Sequence, residues 1–342
     1  MKTVLLFTAA LLAGINSACA ESIFGVGATF PNHIYQAWGH AYEAQSGNKL
    51  VYTPVGSGKG IAAIVAKKTD FGASDKPLKL DELNKNNLMQ YPMIIGGVVM
   101  VFNLKGIANQ ALVLDGNSLA QIYLGAITRW NDPVLRALNP TLELPNAEIV
   151  VVTRSDKSGT TFNFSNYLSK VSPDWQASVG EGLSVAWKVG TGVEGTKGVV
   201  AKVAETPYAI GYMDLADAQK KGLNYSKLKN RSNTIVTANT ISIGAAAAAV
   251  HWTELNGYYE ILTDTASVDG WPITAASFIL LERAPSISER ELDMLKFFDW
   301  AYRNGDALAT ELNFVPVPDS VAGIVRTAWH SQIKDKAGKE IW

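Results

Sequence analysis

The sequence contains almost no cysteine: Cys19 is the single one among 342 residues. One thiol allows no intramolecular disulfide and excludes cysteine-based metal clusters. The four histidines show no metal-binding spacing, and neither a His-Glu-x-x-His helix nor a Gly-x-Ser-x-Gly nucleophile elbow is present. We therefore expect a large apolar core instead of cross-links, no metal and no cofactor, and no hydrolytic enzyme.

The sequence also has no large excess of basic or acidic residues, and no long apolar run follows its N-terminal segment. Lys and Arg number 30 against 31 Asp and Glu, whereas a nucleic-acid-binding surface needs a basic excess. No run of 18 or more apolar residues follows the N-terminal segment, so a membrane-spanning helix is not expected there. We expect neither a nucleic-acid partner nor a transmembrane anchor in the mature chain.

The first twenty residues have the pattern of a secretory signal. Lys2 precedes an apolar run at 4–12. Residues 18–20 (Ala-Cys-Ala) then have the small-x-small pattern that precedes a signal-peptidase cleavage site. We expect cleavage after Ala20, which removes Lys2 and leaves 29 basic against 31 acidic residues. Lipidation at Cys19 is the alternative, but it requires an aliphatic residue three positions earlier, where Asn16 stands.

Short apolar segments alternate with segments of helical periodicity. Strands are predicted at 49–52, 94–102, 148–152, 209–212 and 277–281, and helices at 61–67, 119–124, 161–170 and 289–302. This alternation is typical of an α/β fold with helices on both faces of the sheet. In such folds, ligands bind at the carboxyl ends of strands, beside the helices that follow.

Three segments place Ser, Thr or Gly where a helix begins after a strand. They are 27–31 (Gly-Ala-Thr-Phe-Pro), 56–60 (Gly-Ser-Gly-Lys-Gly) and 154–161 (Arg-Ser-Asp-Lys-Ser-Gly-Thr-Thr). The first turn of a helix carries unpaired N–H groups and a partial positive charge, which together attract anions. Three such ends, with one arginine among them, predict a site for a small tetrahedral oxyanion.

Two glycine-rich segments resemble nucleotide-binding motifs only in part. A Walker loop requires Ser or Thr after Lys59 and Gly at position 53, but Gly60 and Thr53 stand there. Segment 190–195 matches Gly-x-Gly-x-x-Gly, yet no long βαβ unit surrounds it, and we interpret it as a turn packed against a helix at 199–204. We expect no nucleotide ligand.

Three charged residues, Arg154, Asp156 and Asp75, follow predicted strands and suggest anion recognition. Asp156 is placed to fix the guanidinium of Arg154, whose outer N–H groups would then serve a ligand; the alternative is a surface salt bridge beside a helix cap. Asp75 either caps the next turn or accepts a hydrogen bond from a protonated ligand. An acceptor there would distinguish phosphate, which carries a proton at neutral pH, from sulfate.

The motifs, taken in order, resemble the phosphate-binding proteins of the bacterial phosphate-specific ABC transporter over essentially the whole mature chain. The matching segments are 27–31, 70–75, 95–99, 112–116, 122–125, 158–160, 271–274 and 296–302. The resemblance implies a two-lobed periplasmic binding protein of type II, each lobe a mixed sheet flanked by helices. Two strands, near 96–102 and 274–281, would cross between the lobes. It implies a signal peptide at 1–20, lobe one at 21–95 and 275–342, and lobe two at 96–274.

By this resemblance, the chain is a monomeric, non-enzymatic periplasmic receptor that delivers inorganic phosphate to a membrane permease. The implied phosphate-binding residues are Thr29, Phe30 (through its backbone N–H), Ser57, Asp75, Arg154, Asp156, Ser158, Gly159 and Thr160. The alternatives are a sulfate- or tungstate-type carrier, which Asp75 opposes, and a secreted phosphohydrolase, whose metal cluster or nucleophile–base pair the sequence does not show.

Lys59 departs from the family, in which small residues are frequent at Gly58 and Lys59. One hypothesis places its ammonium group at the mouth of the cleft, where it attracts phosphate without contacting it. The other has it point to solvent with no role. Its position two residues after Ser57 favours the first hypothesis.

Overall fold

The structure is a computed structural model that describes residues 21–342; the expected signal peptide at 1–20 and the lipidation alternative at Cys19 lie outside the described residues. The strands are β1 (Ser22–Gly27), β2 (Lys49–Pro54), β3 (Phe71–Ser74), β4 (Leu88–Phe102), β5 (Val113–Asp115), β6 (Val150–Arg154), β7 (Thr191–Val193), β8 (Ala209–Asp214), β9 (Asn224–Tyr225), β10 (Lys227–Lys229), β11 (Ile235–Val236), β12 (Thr274–Glu282) and β13 (Val315–Pro316). The helices are α1 (Asn32–Ser46), α2 (Ser57–Val65), α3 (Leu80–Lys85), α4 (Gly116–Leu124), α5 (Pro133–Leu138), α6 (Gly159–Val171), α7 (Pro173–Ser178), α8 (Gly195–Glu205), α9 (Leu215–Lys220), α10 (Thr240–Ala247), α11 (Ser288–Asn304), α12 (Asp306–Glu311) and α13 (Asp319–Gln332).

One ten-stranded mixed sheet organises the chain, with the main order β2-β1-β3-β12-β4-β8-β6-β7. Strands β2, β1 and β3 are parallel, as are β8, β6 and β7, whereas β12 and β4 run antiparallel to their neighbours. We call β2, β1, β3 and β12 the first half-sheet, and β8, β6 and β7 the second half-sheet. A separate three-stranded sheet has the order β11-β10-β5.

Strand β4 joins the two half-sheets. Its residues 88–97 pair with β12, and its residues 98–102 pair with β8. All 15 of its residues are buried, because helices or other strands cover both of its faces. Its near-continuous apolar sequence is typical of such a doubly covered strand. One strand thus belongs to both halves of the molecule.

Large aromatic side chains fill the core. The buried indole N–H groups of Trp38, Trp130, Trp175 and Trp271 each donate a hydrogen bond to a backbone carbonyl, so burying them leaves no unpaired donor. Trp271 donates to the carbonyl of Val98 at 2.9 Å and so fastens the segment before β12 to β4. No helix among residues 21–342 has the length and apolar character to cross a membrane.

The predicted elements are present, but several begin earlier than predicted: strand β4 begins at Leu88 rather than 94, and strand β12 at Thr274 rather than 277. Helix α2 begins at Ser57 rather than 61, and α6 begins at Gly159 rather than 161. Helix α6 starts early because the Ser158 hydroxyl accepts a hydrogen bond from the Thr161 N–H at 3.2 Å. The segment at 190–195 is more than a turn: it contains strand β7 and leads into α8.

Helix α2 lies directly on the backbone of the first half-sheet. A Cβ atom built on Gly60 would lie 2.6 Å from the Ala73 carbonyl oxygen and 2.6 Å from the Gly27 Cα. Backbone atoms cannot move aside as a flexible side chain can. A residue without a side chain is therefore required for α2 to reach this position.

We expect Gly60→Ala to lower the free energy of unfolding by about 1–3 kcal/mol, as overpacking does. The matched control is Gly323→Ala in α13, where an added Cβ meets nothing within 4 Å. The control should raise stability by roughly 0.4–1 kcal/mol, since alanine restricts the unfolded chain. Urea unfolding followed by circular dichroism measures both. Equal effects of the two substitutions would contradict this packing argument.

Candidate functional site

The N-termini of α2 and α6 meet where the two half-sheets face each other. The Gly58 N–H donates to the Lys157 carbonyl at 3.0 Å. A Cβ atom built on Gly159 would lie 2.3 Å from Ser57 Oγ and 2.6 Å from Asp75 Oδ2. Because glycine alone fits here, the first turn of α6 approaches both side chains directly. The structure thus brings Ser57, Asp75 and Gly159 together from three distant parts of the sequence.

The segment between β1 and α1 lies beside the place where the N-termini of α2 and α6 meet. The Gly56 N–H donates to the Gly27 carbonyl at 2.8 Å, and the Ala28 N–H donates to the Ala73 carbonyl at 2.9 Å. These bonds fix the backbone that leads to Thr29 and Phe30. The Phe30 ring is fully buried and packs edge-on against Phe314. The ring anchors the turn, and only the backbone of Phe30 is in a position to serve a ligand.

A buried ion pair holds Arg154 in place. Its Nε and Nη2 atoms donate to the two carboxylate oxygens of Asp156 at 2.7 and 2.6 Å. Both side chains are buried, with exposures of 1% and 7%. Guanidinium has five N–H groups, so this pair leaves three of them for other acceptors. Burial raises the pKa of Asp156, but the hydrogen bonds and charge of Arg154 and the N–H of Gly195 outweigh it and lower the pKa overall.

The remaining predicted residues, Ser158, Thr160 and Thr29, are buried or half-buried, and each lies at or beside the start of a helix. Ser158 is the N-cap of α6, and Thr160 lies in its first turn; both are buried. Thr29 is half-buried, and its hydroxyl lies 2.9 Å from that of Thr196, at the start of α8. Ser158 therefore already uses its oxygen as an acceptor, and its O–H hydrogen remains available as a donor.

Asp75 is buried against an unusual set of neighbours. Burial raises its pKa from 3.8 to about 7, although the Ser277 hydroxyl, the Arg154 charge and the Ser57 hydroxyl each lower it. Its Oδ1 atom has no hydrogen-bond partner among the described residues. Its backbone N–H donates to Ser57 Oγ at 3.1 Å, so Asp75 is held by its main chain and is not a helix cap.

A cavity of about 470 Å³, which we call the vestibule, opens beside the site. Its lining includes Thr29, His33, Asp156, Glu194 and Lys220. Because Thr29 and Asp156 belong to both the vestibule and the predicted site, the vestibule borders the site. Its charged residues are of both signs, so no broad positive field surrounds the entrance.

Lys59 forms an ion pair with Glu194, one of the residues that line the vestibule. Its Nζ atom is 2.9 Å from Glu194 Oε1, and both side chains are more than half exposed. Glu194 offsets this charge at short range, and the attraction of phosphate by the ammonium group stays a prediction. The pair connects α2 of the first half to the start of α8 in the second. An exposed pair of this kind contributes little and is screened by salt.

Three residues that support the site were missed in the sequence. Asn163 Nδ2 donates to the carbonyls of Asp75 and Gly159 at 2.8 and 3.0 Å, and so ties α6 to the end of β3. The Tyr212 hydroxyl accepts a hydrogen bond from the Arg154 N–H at 3.1 Å. The Gly195 N–H donates to Asp156 Oδ1 at 3.0 Å. Only Asn163 had a sequence signal, since it lies one helical turn after Gly159.

The site shows donors and one carboxylate acceptor but no metal-ligand cluster. Among residues 21–342, no group of three or more His, Cys, Asp or Glu residues is arranged to hold a metal ion. The positive end of α6, the guanidinium of Arg154 and the Ser57 hydroxyl converge on one small region. Chemically, this arrangement can bind a compact anion that also carries a proton for Asp75.

The raised pKa of Asp75 predicts a pH-dependent stability for the ligand-free protein. A carboxyl group with pKa 3.8 unfolded and about 7 folded contributes stability below about pH 4 that is lost as the pH rises through 7. Asp75→Asn removes this loss, so the variant should be more stable than the parent at pH 8, by up to about 4 kcal/mol. The difference should fade toward pH 5.

Urea unfolding in phosphate-free buffer between pH 5 and pH 8 measures this difference. The matched control is Asp269→Asn, because Asp269 is exposed. Its unfolding curve should follow the parent at every pH. A constant difference between Asp75→Asn and the parent across this range would show that the carboxyl group titrates normally.

The comparisons with known proteins agree with this geometry. Residues 15–303 match the PBP superfamily domain. A phosphate-binding protein PstS from Haemophilus influenzae is 47% identical over 317 residues, covering 93% of this chain and 95% of that protein. A protein of the same name from Pasteurella multocida is 45% identical over 323 residues, covering 94% of each chain.

A solved structure supports the fold. The high-affinity periplasmic phosphate-binding protein PfluDING, solved with bound phosphate, matches with a TM-score of 0.71 at 22% identity, covering 93% of this chain and 96% of that one. At this identity the likeness concerns the fold alone. It confirms the predicted two-lobed α/β architecture of a periplasmic binding protein. The chain belongs to the PBP superfamily and, within it, to the PstS family of phosphate-binding proteins, which are solute-binding proteins and not enzymes.

Proposed function

We propose that this protein binds inorganic phosphate and serves as the substrate-binding component of an ABC importer. The observation that carries the proposal is the meeting of one buried acceptor, Asp75, with the donors of Ser57, Gly159 and Arg154. Family membership supports the same function. Binding and release, without any chemical change of the ligand, then account for the whole activity.

The proposed phosphate ligands are the residues implied by the sequence. They are Thr29, the backbone N–H of Phe30, Ser57, Asp75, Arg154, Ser158, Gly159 and Thr160, with Asp156 as the anchor of Arg154. Four hydroxyl groups, several N–H groups and one guanidinium would surround the anion. In a site shielded from solvent, such fixed donors replace the water molecules that a phosphate ion loses on binding.

Closure of two lobes would bury the ligand. We infer that residues 21–95 and 275–342 form lobe one and that residues 96–274 form lobe two, with the hinge in β4 and β12. The change of partner along β4, from β12 to β8 near Gly97, supports this division. Contacts such as Asn163 with Asp75 and Thr29 with Thr196 would form only when the lobes close.

The remaining proposals concern where and with whom the protein acts. We propose that the mature protein is periplasmic and monomeric, and that it delivers phosphate to the membrane permease of its transporter. The expected signal at residues 1–20 and the periplasmic relative support the location. Receptor activity in a monomer needs only the site described above, since its residues all come from one chain.

Phosphate and sulfate provide the sharpest test of the function. The O–H group of phosphate can donate a hydrogen bond to ionised Asp75, whereas sulfate has no proton and meets the carboxylate oxygen with its own lone pairs. Above pH 8, where Asp75 is ionised, we expect the parent protein to bind phosphate tightly and sulfate weakly or not at all, because an unpaired buried charge costs several kcal/mol. Asp75→Asn, which can donate a hydrogen bond, should gain tolerance of sulfate. Isothermal titration calorimetry with each anion measures both, and tight sulfate binding by the parent would overturn the assignment.

Arg154 should contribute through its planar donors and not through charge alone. Arg154→Lys keeps the charge but loses the paired N–H groups, so phosphate binding should weaken by about 1–3 kcal/mol. The matched control is Arg129→Lys, because Arg129 forms an exposed pair with Glu148 at 3.7 Å. The control should bind phosphate as the parent does. Equal dissociation constants for Arg154→Lys and the parent would exclude a direct role for this guanidinium.

A further inference from the structure

Three buried oxygen atoms without partners lie behind the proposed phosphate site. They are Tyr35 OH, Asp75 Oδ1 and Ser277 Oγ, which belong to residues no more than 2% exposed. Buried polar atoms nearly always have a hydrogen-bond partner, and an unpaired one is costly. Three of them close to the proposed ligand acceptor Asp75 therefore call for a functional explanation.

The fold places Ser277 beside Asp75 and packs Tyr35 against β3, the strand that precedes Asp75. Strand β12 pairs with β3 so that Phe278 lies opposite Ser74, and the register shifts between Ser277 and Phe278. This shift leaves Ser277 beside the end of β3, where Asp75 follows. Tyr35 lies in the first turn of α1 and packs edge-on against Phe71 at the other end of β3, with ring centroids 6.5 Å apart.

The three groups also influence each other electrostatically. The Ser277 hydroxyl lowers the pKa of Asp75, which burial raises above all. Burial is likewise the main reason why the pKa of Tyr35 is raised; the Ser277 hydroxyl lowers it and the Asp75 charge raises it. Ser277 thus lies within interaction distance of both other groups. The set consists of two O–H donors and one carboxylate oxygen that can accept from them.

We propose that Ser277 and Tyr35 are positioning residues for Asp75: small rotations of these side chains, which are unpaired in the structure, let Ser277 donate a hydrogen bond to Asp75 Oδ1 and Tyr35 donate one to Ser277, so that Oδ2 is reserved for the hydrogen bond from bound phosphate. The proposal rests on the proposed function, and it deepens the account of how that site selects its ligand. Oδ2 is the carboxylate oxygen that lies beside Gly159, in the first turn of α6. Oδ1 therefore faces the core and Oδ2 faces the site.

The donor chain has a consequence for selectivity. A buried carboxylate that loses a donor is less stable in its charged form, so it takes up a proton at higher pH. Protonated Asp75 offers an O–H group, which sulfate accepts as readily as phosphate does. Without Ser277 the site should therefore lose part of its discrimination at neutral pH while keeping its affinity for phosphate in acid.

The experiment compares the parent with Ser277→Ala, Ser277→Thr and Tyr35→Phe. The titration of the Asp75 carboxyl carbon is followed by ¹³C NMR, and sulfate affinity is measured from pH 5.5 to pH 8.5. We expect Ser277→Ala to raise the titration midpoint by about one pH unit and to bind sulfate roughly eightfold more tightly at pH 8.5, where the parent carboxyl group is almost fully ionised. Tyr35→Phe should raise the titration midpoint and the sulfate affinity by smaller amounts. Ser277→Thr keeps the hydroxyl group and should show the parent values of both.

Matched controls separate positioning from a merely structural role. Ser226 and Tyr258 are equally buried and also have an unpaired hydroxyl oxygen, but they lie away from the site. Ser226→Ala and Tyr258→Phe should leave the Asp75 midpoint and the sulfate affinity at the parent values. An unchanged midpoint in both Ser277→Ala and Tyr35→Phe would overturn the proposal; if Ser277→Ala does not fold, Tyr35→Phe alone decides. Absence of phosphate binding by the parent would be a separate result, directed against the proposed function.

Discussion

The pairing of Arg154 with Asp156 is the interaction on which the site depends. A guanidinium buried to 1% exposure is unfavourable unless acceptors surround it, and removing one partner of such a pair leaves an uncompensated charge. The fold meets this constraint with a short loop after β6 and with the N–H of Gly195 at the start of α8. The second half-sheet is thus arranged to hold one positive charge rigidly, and the first half-sheet supplies the acceptor that faces it.

The sequence predicted those parts of the site that follow local rules. A strand, a turn with Ser, Thr or Gly, and a helix define an anion-binding end within about ten residues, so segments 56–60 and 154–161 could be recognised from their composition. The α/β class and the family followed from the same alternation and its motifs, and the comparisons confirm both. Contacts between distant segments could not be predicted. Asn163 with Asp75, and Tyr212 with Arg154, depend on how the half-sheets face each other, and composition does not encode this.

Lys59 shows why a charge cannot be interpreted from sequence alone. Its position near Ser57 suggested a charge at the mouth of the cleft, but its partner Glu194 is 135 residues away in the chain and reaches it only through the fold. Segment 190–195 is a similar case. It has the spacing of a dinucleotide motif, whereas its last glycine serves to hold Asp156, because Gly195 adopts a positive φ of 67° and directs its N–H toward that carboxylate.

Strand β4 has a consequence for the folding of the molecule. Its first ten residues complete one half-sheet and its last five complete the other, so neither half has a full set of strands by itself. A cut within β4 would leave unpaired backbone groups on both sides. Although the protein has two lobes, its equilibrium unfolding should therefore be a single cooperative transition, and neither lobe should persist as an independent folded fragment.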